Sequence, residues 1–67
     1  MSEAARKRYF EMLAQKISSL YGVAIDAARN AVSRSAIQDM VAECPEYVGH
    51  VSIYDWAEEV YEEMLLE

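Results

Sequence analysis

"VAIDAARNAVSRSAIQDMVAEC", running from Val23 to Cys44, contains no glycine or proline and reads at first as one long helix. Its apolar phase disagrees. At roughly 100° per residue, Ala27, Ala28, Ala31 and Val32 share one arc, whereas Ala36, Ile37, Met40, Val41 and Cys44 occupy nearly the opposite one. A straight helix with that pattern needs burial on two sides, which a dimer could provide. A break removes the conflict, and "SAIQ" offers a place for it. Ser35 suits an N-cap and Gln38 lies three residues on, the capping-box spacing. The pattern therefore predicts two short helices, about 25–33 and 36–44, meeting near Arg34 and Ser35.

Upstream, Phe10, Leu13, Ile17 and Leu20 recur at helical intervals, and with Tyr9 and Tyr21 they fill an arc of about 120°. Lys7, Arg8, Glu11, Gln15, Ser18 and Ser19 lie opposite. Ser2 suits the N-cap, Glu3 the first turn, and Gly22 the left-handed position after the last turn. A long first helix is expected from Glu3 to Tyr21. Downstream, Pro45 has no N–H to donate and disfavours helical geometry in the residue before it. "PEYVGHVS" (45–52) then reads as a connector, with room for one helical turn over Pro45–Val48. Ser52 caps a last helix, about 53–66, with Asp55 at its N3 position. A loosely alternating "YVGHVSIY" has no second strand to pair with. The expected fold is a single all-α domain over residues 1–67: a small bundle of three to four helices with a long N-terminal helix.

Domains of 67 residues often gain stability from a disulfide, a metal or a partner chain. With Cys44 the only cysteine, an internal disulfide is excluded and a reducing compartment is favoured. "MSEAARKRYF" offers no apolar run for a signal peptide, and no window approaches a membrane span, so a cytoplasmic protein without a membrane partner is expected. Association is the remaining device. A homo-oligomer, a symmetric dimer through the first and last helices, is expected, or else docking on another protein.

Charge is divided along the chain. Residues 1–34 carry six bases and three acids, whereas residues 35–67 carry nine acids and no base. Halves this different attract each other, within one molecule or between two. The acids gather in the last helix. There Ile53, Trp56, Ala57, Val60 and Met64 form an apolar stripe, and Tyr54, Tyr61 and Leu65 widen it to about 180°. Asp55, Glu58, Glu59, Glu62 and Glu63 share the remaining arc as an acidic face. An outer helix of a monomer needs only about 100° of apolar surface. The excess points to a second contact, with Tyr9, Leu13, Tyr54, Trp56, Tyr61 and Leu65 as its candidate interface residues. Trp56 also reads as core.

Chemistry-bearing constellations are sparse. Cys44 and His50 would have to serve as zinc ligands with Glu43 and Glu46, a set that lacks zinc spacing. The position of Cys44 on the apolar arc suggests a buried structural thiol, and His50 an exposed turn. Adjacent carboxylates at Glu58–Glu59 and Glu62–Glu63 lack the apolar setting that would separate their pKa values for acid–base work. Tyr47, Tyr54, Trp56 and Tyr61 could stack on bases in a basic protein. Here they sit in the acidic half, which repels nucleic acid, so no direct nucleic-acid binding is expected. Arg6, Lys7 and Arg8 are too few for a nucleic-acid patch and read as a solvated helix start, or as partners of the acidic helix. "YFEML" (9–13) and "YEEML" (61–65) match at four of five positions, but these residues are common in amphipathic helices, and chance explains them.

In size, acidity and helical pattern the chain resembles many short proteins of bacterial accessory operons and phages, antitoxins and phage inhibitors among them; no shared motif carries that likeness. The residues suggest a small, acidic, non-enzymatic protein–protein interaction module without a cofactor. The alternative is an inhibitor that occupies a basic nucleic-acid-binding surface by charge mimicry.

Overall fold

The computed structural model describes residues 1–66. Five helices follow in order: α1 (Glu3–Tyr21), α2 (Ile25–Arg34), α3 (Ile37–Glu43), α4 (Pro45–His50) and α5 (Ile53–Leu65). No strand occurs among the described residues. The chain is all-helical as expected, but with five helices rather than three to four. The additional one is α4. Pro45 occupies its first turn, where a missing N–H costs nothing, and the Cys44 carbonyl accepts the Val48 N–H.

Local chemistry explains the ends of α1. The Ser2 hydroxyl accepts the Ala5 N–H at 3.1 Å, satisfying one of the orphan donors of the first turn. At the other end Gly22 takes φ 68°, the left-handed geometry, and its N–H reaches the Ser18 carbonyl. The buried face of α1 consists of Leu13, Ala14 and Ile17. Ala14 draws that face round toward itself, and Leu20, expected on the buried arc, is left about half exposed. α1 packs on both α2 and α5.

Between Arg34 and Ile37 the chain breaks as the phase conflict requires. Ser35 is extended (φ −79°, ψ 154°), the backbone of an N-cap, and its hydroxyl accepts the Ile37 N–H at 3.2 Å. Gln38 does not close a capping box with Ser35. Its side-chain amide donates to the Val32 carbonyl at 2.9 Å, satisfying the end of α2 instead. With the direction changed at Ser35, Ala28 and Val32 of α2 and Ile37 and Val41 of α3 all enter one core, completed by Val48, Trp56, Ala57 and Val60. The Trp56 indole N–H donates to the Val48 carbonyl at 3.1 Å, which ties α4 to α5 and pairs a carbonyl near a helix end. The radius of gyration is 10.9 Å, against about 11 Å expected of a compact chain this long.

A candidate protein-interaction surface

Ser52 starts α5, its hydroxyl accepting the Tyr54 N–H at 3.2 Å, and this sets which residues face inward. Trp56, Ala57 and Val60 are buried, with Ile53 and Met64 packed at the margin. Part of the wide apolar arc is used inside the chain. Tyr61 stacks face to face on Tyr21 of α1, with ring centroids 4.1 Å apart and planes 3° from parallel. Tyr54 and Leu65 remain 53% and 66% exposed.

Of the six residues expected at an interface, the fold therefore divides the set. Leu13 is fully enclosed in the core, and Trp56, at 7% exposure, also lies inside the molecule. Neither can meet a partner in this fold, because the single chain already covers both. Tyr9 is half-buried at the edge of α1, beside Met1, Ala5, Arg8 and Met12. Its hydroxyl is buried without a hydrogen-bond partner among the described residues, and burial pushes its pKa up. Only Tyr54 and Leu65 stand well exposed. The look-alike segments diverge here too, since Leu13 is core and its counterpart Leu65 is surface.

Two residues that sequence reasoning missed join them. Met12 is about half exposed, as is Leu20. Met12 carried a signal, since a large apolar residue falls on the polar side of the α1 pattern. Met12 lines one shallow groove with Met1, Ala5, Arg8 and Tyr9, and a second with Gln15, Lys16 and Ser19. Lys16 then bridges to α5. Its ammonium lies 5.1 Å from the centre of the Tyr54 ring and 3.5 Å from its hydroxyl. Met12, Lys16 and Tyr54 thus border an outer seam between α1 and α5, and Tyr21 stacks on Tyr61 across the same pair of helices; Leu20 and Leu65 are exposed residues of those two helices.

Charges flank that seam unequally. Asp55, Glu58, Glu59 and Glu62 are exposed on α5. Glu63 departs from the expected acidic face. Half-buried, it accepts the Ser35 hydroxyl at 2.5 Å and the Ala36 N–H at 3.4 Å, and so serves the α2–α3 break. On α1, Arg6, Lys7 and Arg8 pair with none of the described acids of α5. The acid of α1 that does pair is Glu11. Arg29 of α2 reaches it at 2.7 Å and also reaches Asp26 at 3.4 Å. Hydrogen bonding to Arg29 holds the Glu11 carboxyl below its ordinary pKa, and the same bond raises that of Arg29.

The other candidates are separated rather than assembled. Cys44 is exposed, not buried. Pro45 forces Cys44 out of helical geometry (φ −136°, ψ 59°), so its side chain no longer follows the apolar arc of α3. His50, the last residue of α4, is exposed, and about 9 Å of helix separates it from Cys44, beyond nucleophile–base reach. Among the described residues no three His, Cys, Asp or Glu side chains are grouped to hold a metal ion. A cleft of about 120 Å³ lies between α3 and α5, lined by Ser35, Ile37, Met40, Trp56, Glu59 and Val60 among others. Shallow surface depressions of about 390 Å³ at Met12, Gln15, Lys16 and Ser19 and about 440 Å³ at residues 43–47 are larger. No described helix is long and apolar enough to cross a membrane. No protein-family model, curated protein or solved structure matches the chain.

Proposed function

We propose that this chain is a small, non-enzymatic protein–protein interaction module that works as a homodimer joined through its first and last helices. One observation carries the reading: Met12 and Leu20 of α1 and Tyr54 and Leu65 of α5, two helices that pack on each other, are each about half exposed or more. Single apolar residues are normal on a protein surface, and several on two adjoining helices fit a contact. Tyrosine is also well suited to anchoring such a contact, since it buries much area at little entropic cost. The lone exposed thiol of Cys44 fits a reducing, cytoplasmic setting.

Light scattering behind size exclusion, across a hundredfold dilution with reductant present, tests this directly. A mass of twice 7.6 kDa that persists on dilution is the expected result. A stable monomer at all concentrations overturns the dimer. A second reading draws support from the four exposed acids of α5, which could mimic nucleic-acid phosphates on a basic protein. That reading requires Glu59→Lys with Glu62→Lys to abolish capture by a basic nucleic-acid-binding protein, while Tyr54→Ala leaves capture intact.

A further inference from the structure

We infer that the cleft between α3 and α5 receives one branched aliphatic side chain, leucine or isoleucine, from a cationic segment of a different protein. The site stands apart from the homodimer proposed above and does not rest on it. At about 100° per residue, Trp56, Glu59, Val60 and Glu63 share one arc of α5, nearly opposite Tyr54 and Tyr61, which meet α1. The walls of the cleft are Ile37 and Met40 of α3 and Trp56 and Val60 of α5. Ile37, Trp56 and Val60 belong to the buried core, so packing within the chain sets these walls. The volume, about 120 Å³, suits a single side chain, since an apolar cavity of about 150 Å³ holds a benzene molecule. Water gains little there, because Glu63 is already taken by the Ser35 hydroxyl and the Ala36 N–H. Tyr47, about half exposed, meets the Trp56 ring edge-on with centroids 6.1 Å apart, so an exposed aromatic adjoins one wall.

Charge specifies what flanks that side chain. Glu59 lines the cleft, is exposed, and has no ion-pair partner among the described residues. Asp39 and Glu43 are exposed on α3, as are Asp55 and Glu62 on α5. No lysine or arginine lines the cleft, and residues 35–67 contain none. An apolar residue entering here brings its chain neighbours among acids, which favours lysine or arginine beside it and penalises aspartate or glutamate. The exposed leucines of this chain lack such flanks. Leu65 and Leu66 follow Glu62 and Glu63, and Leu20 lies between Ser19 and Tyr21. The occupant is therefore a segment of another protein, with the apolar anchor giving the fit and the bases giving orientation.

Trp56 is the only tryptophan and lines the cleft, so its fluorescence reports occupancy. The probe is a short synthetic peptide free of aromatic residues, with one central leucine flanked on both sides by lysine and arginine. A saturable change in Trp56 emission is expected, with backbone amide NMR shifts centred on Ile37, Met40 and Glu59. Replacing the peptide's leucine by asparagine should weaken binding about tenfold or more, and replacing its bases by glutamate should abolish it. Glu59→Lys, a change on the exposed side of α5 checked by circular dichroism, should weaken the leucine peptide about fivefold. If the asparagine peptide binds as tightly as the leucine peptide, charge alone is at work and the cleft is not a docking site. Amide shifts centred on Met12 and Tyr54 move the contact to the α1–α5 side and overturn the assignment. If Trp56 emission changes when the chain alone is diluted, a second copy fills the cleft and the partner is not a different protein. Absence of any response at millimolar peptide also overturns the proposal.

Discussion

Ser35 combines an extended backbone with a hydroxyl that does two jobs. It is extended where two helices meet, it accepts the Ile37 N–H, and it donates to Glu63 of α5. Ser35→Ala strips the cap and leaves a half-buried carboxylate short of a donor. A loss of about 1–2 kcal/mol is expected, read as a lower urea midpoint at unchanged slope. Trp56 holds a comparable position, since its indole N–H pairs the Val48 carbonyl. The Glu11–Arg29 pair makes a prediction about pH. Glu11 has an ordinary pKa of 4.5 and a lower one in the fold. Its contribution is therefore present above 4.5 and is lost as pH falls through the lowered folded value. Acidification also relieves repulsion among the other carboxylates, so the total curve has a mixed origin. The difference between the unaltered chain and Glu11→Gln isolates the pair. That difference in melting temperature should be largest near neutrality and should vanish at low pH.

Helix ends and breaks, rather than helix interiors, decide how these elements meet. Gly22 and Gly49 give opposite predictions for the same substitution. At Gly22 an added Cβ would meet no neighbour within 4 Å, but φ is 68°, so alanine carries the left-handed penalty. Gly22→Ala should destabilise by about 1–2 kcal/mol. Gly49 lies within α4, with equally open space and no left-handed backbone. Gly49→Ala should stabilise by about 0.5–1 kcal/mol, because glycine loses more freedom in a helix. Thermal denaturation of the two variants side by side checks both signs. Pro45 acts on two elements at once. It ends α3 by turning Cys44 out of the helix and opens α4 at the position where proline fits.

A chain this short has a thin margin, about 3–10 kcal/mol on the usual per-residue scale. Leu13 and Leu65 separate what that margin protects from what the surface is for. Leu13→Ala opens a cavity in the core and should cost about 2–5 kcal/mol, a large share of that margin, read as a lower melting temperature of the helical signal. Leu65→Ser removes no core contact and should leave the monomer's stability nearly unchanged. Its expected effect is on association, seen as a drop in light-scattering mass at a fixed concentration. If both variants merely unfold, Leu65 belongs to the fold and not to a contact surface.

Much of this architecture is local, and local features are legible in residue order. Ser2, Gly22, Ser52 and Pro45 act within one turn of their own positions, so the ends of α1 and the start of α5 follow from them. The break at Ser35 is legible for another reason. A straight helix cannot bury opposite faces in one core, and the phase of Ala28 and Val32 against Ile37 and Val41 records that conflict. Partners distant in sequence are a different matter. Periodicity assigns Leu13, Leu20 and Tyr61 to broad apolar arcs but cannot say which neighbour covers each. Only the packing of the other helices on α1 seals Leu13, leaves Leu20 half open, and sets Tyr61 on Tyr21. Likewise Glu63 reads as one acid among five until the fold brings Ser35 beside it. Side-chain period measures direction from a single helix axis; coverage depends on where the other helices lie, and that is decided by the tertiary structure.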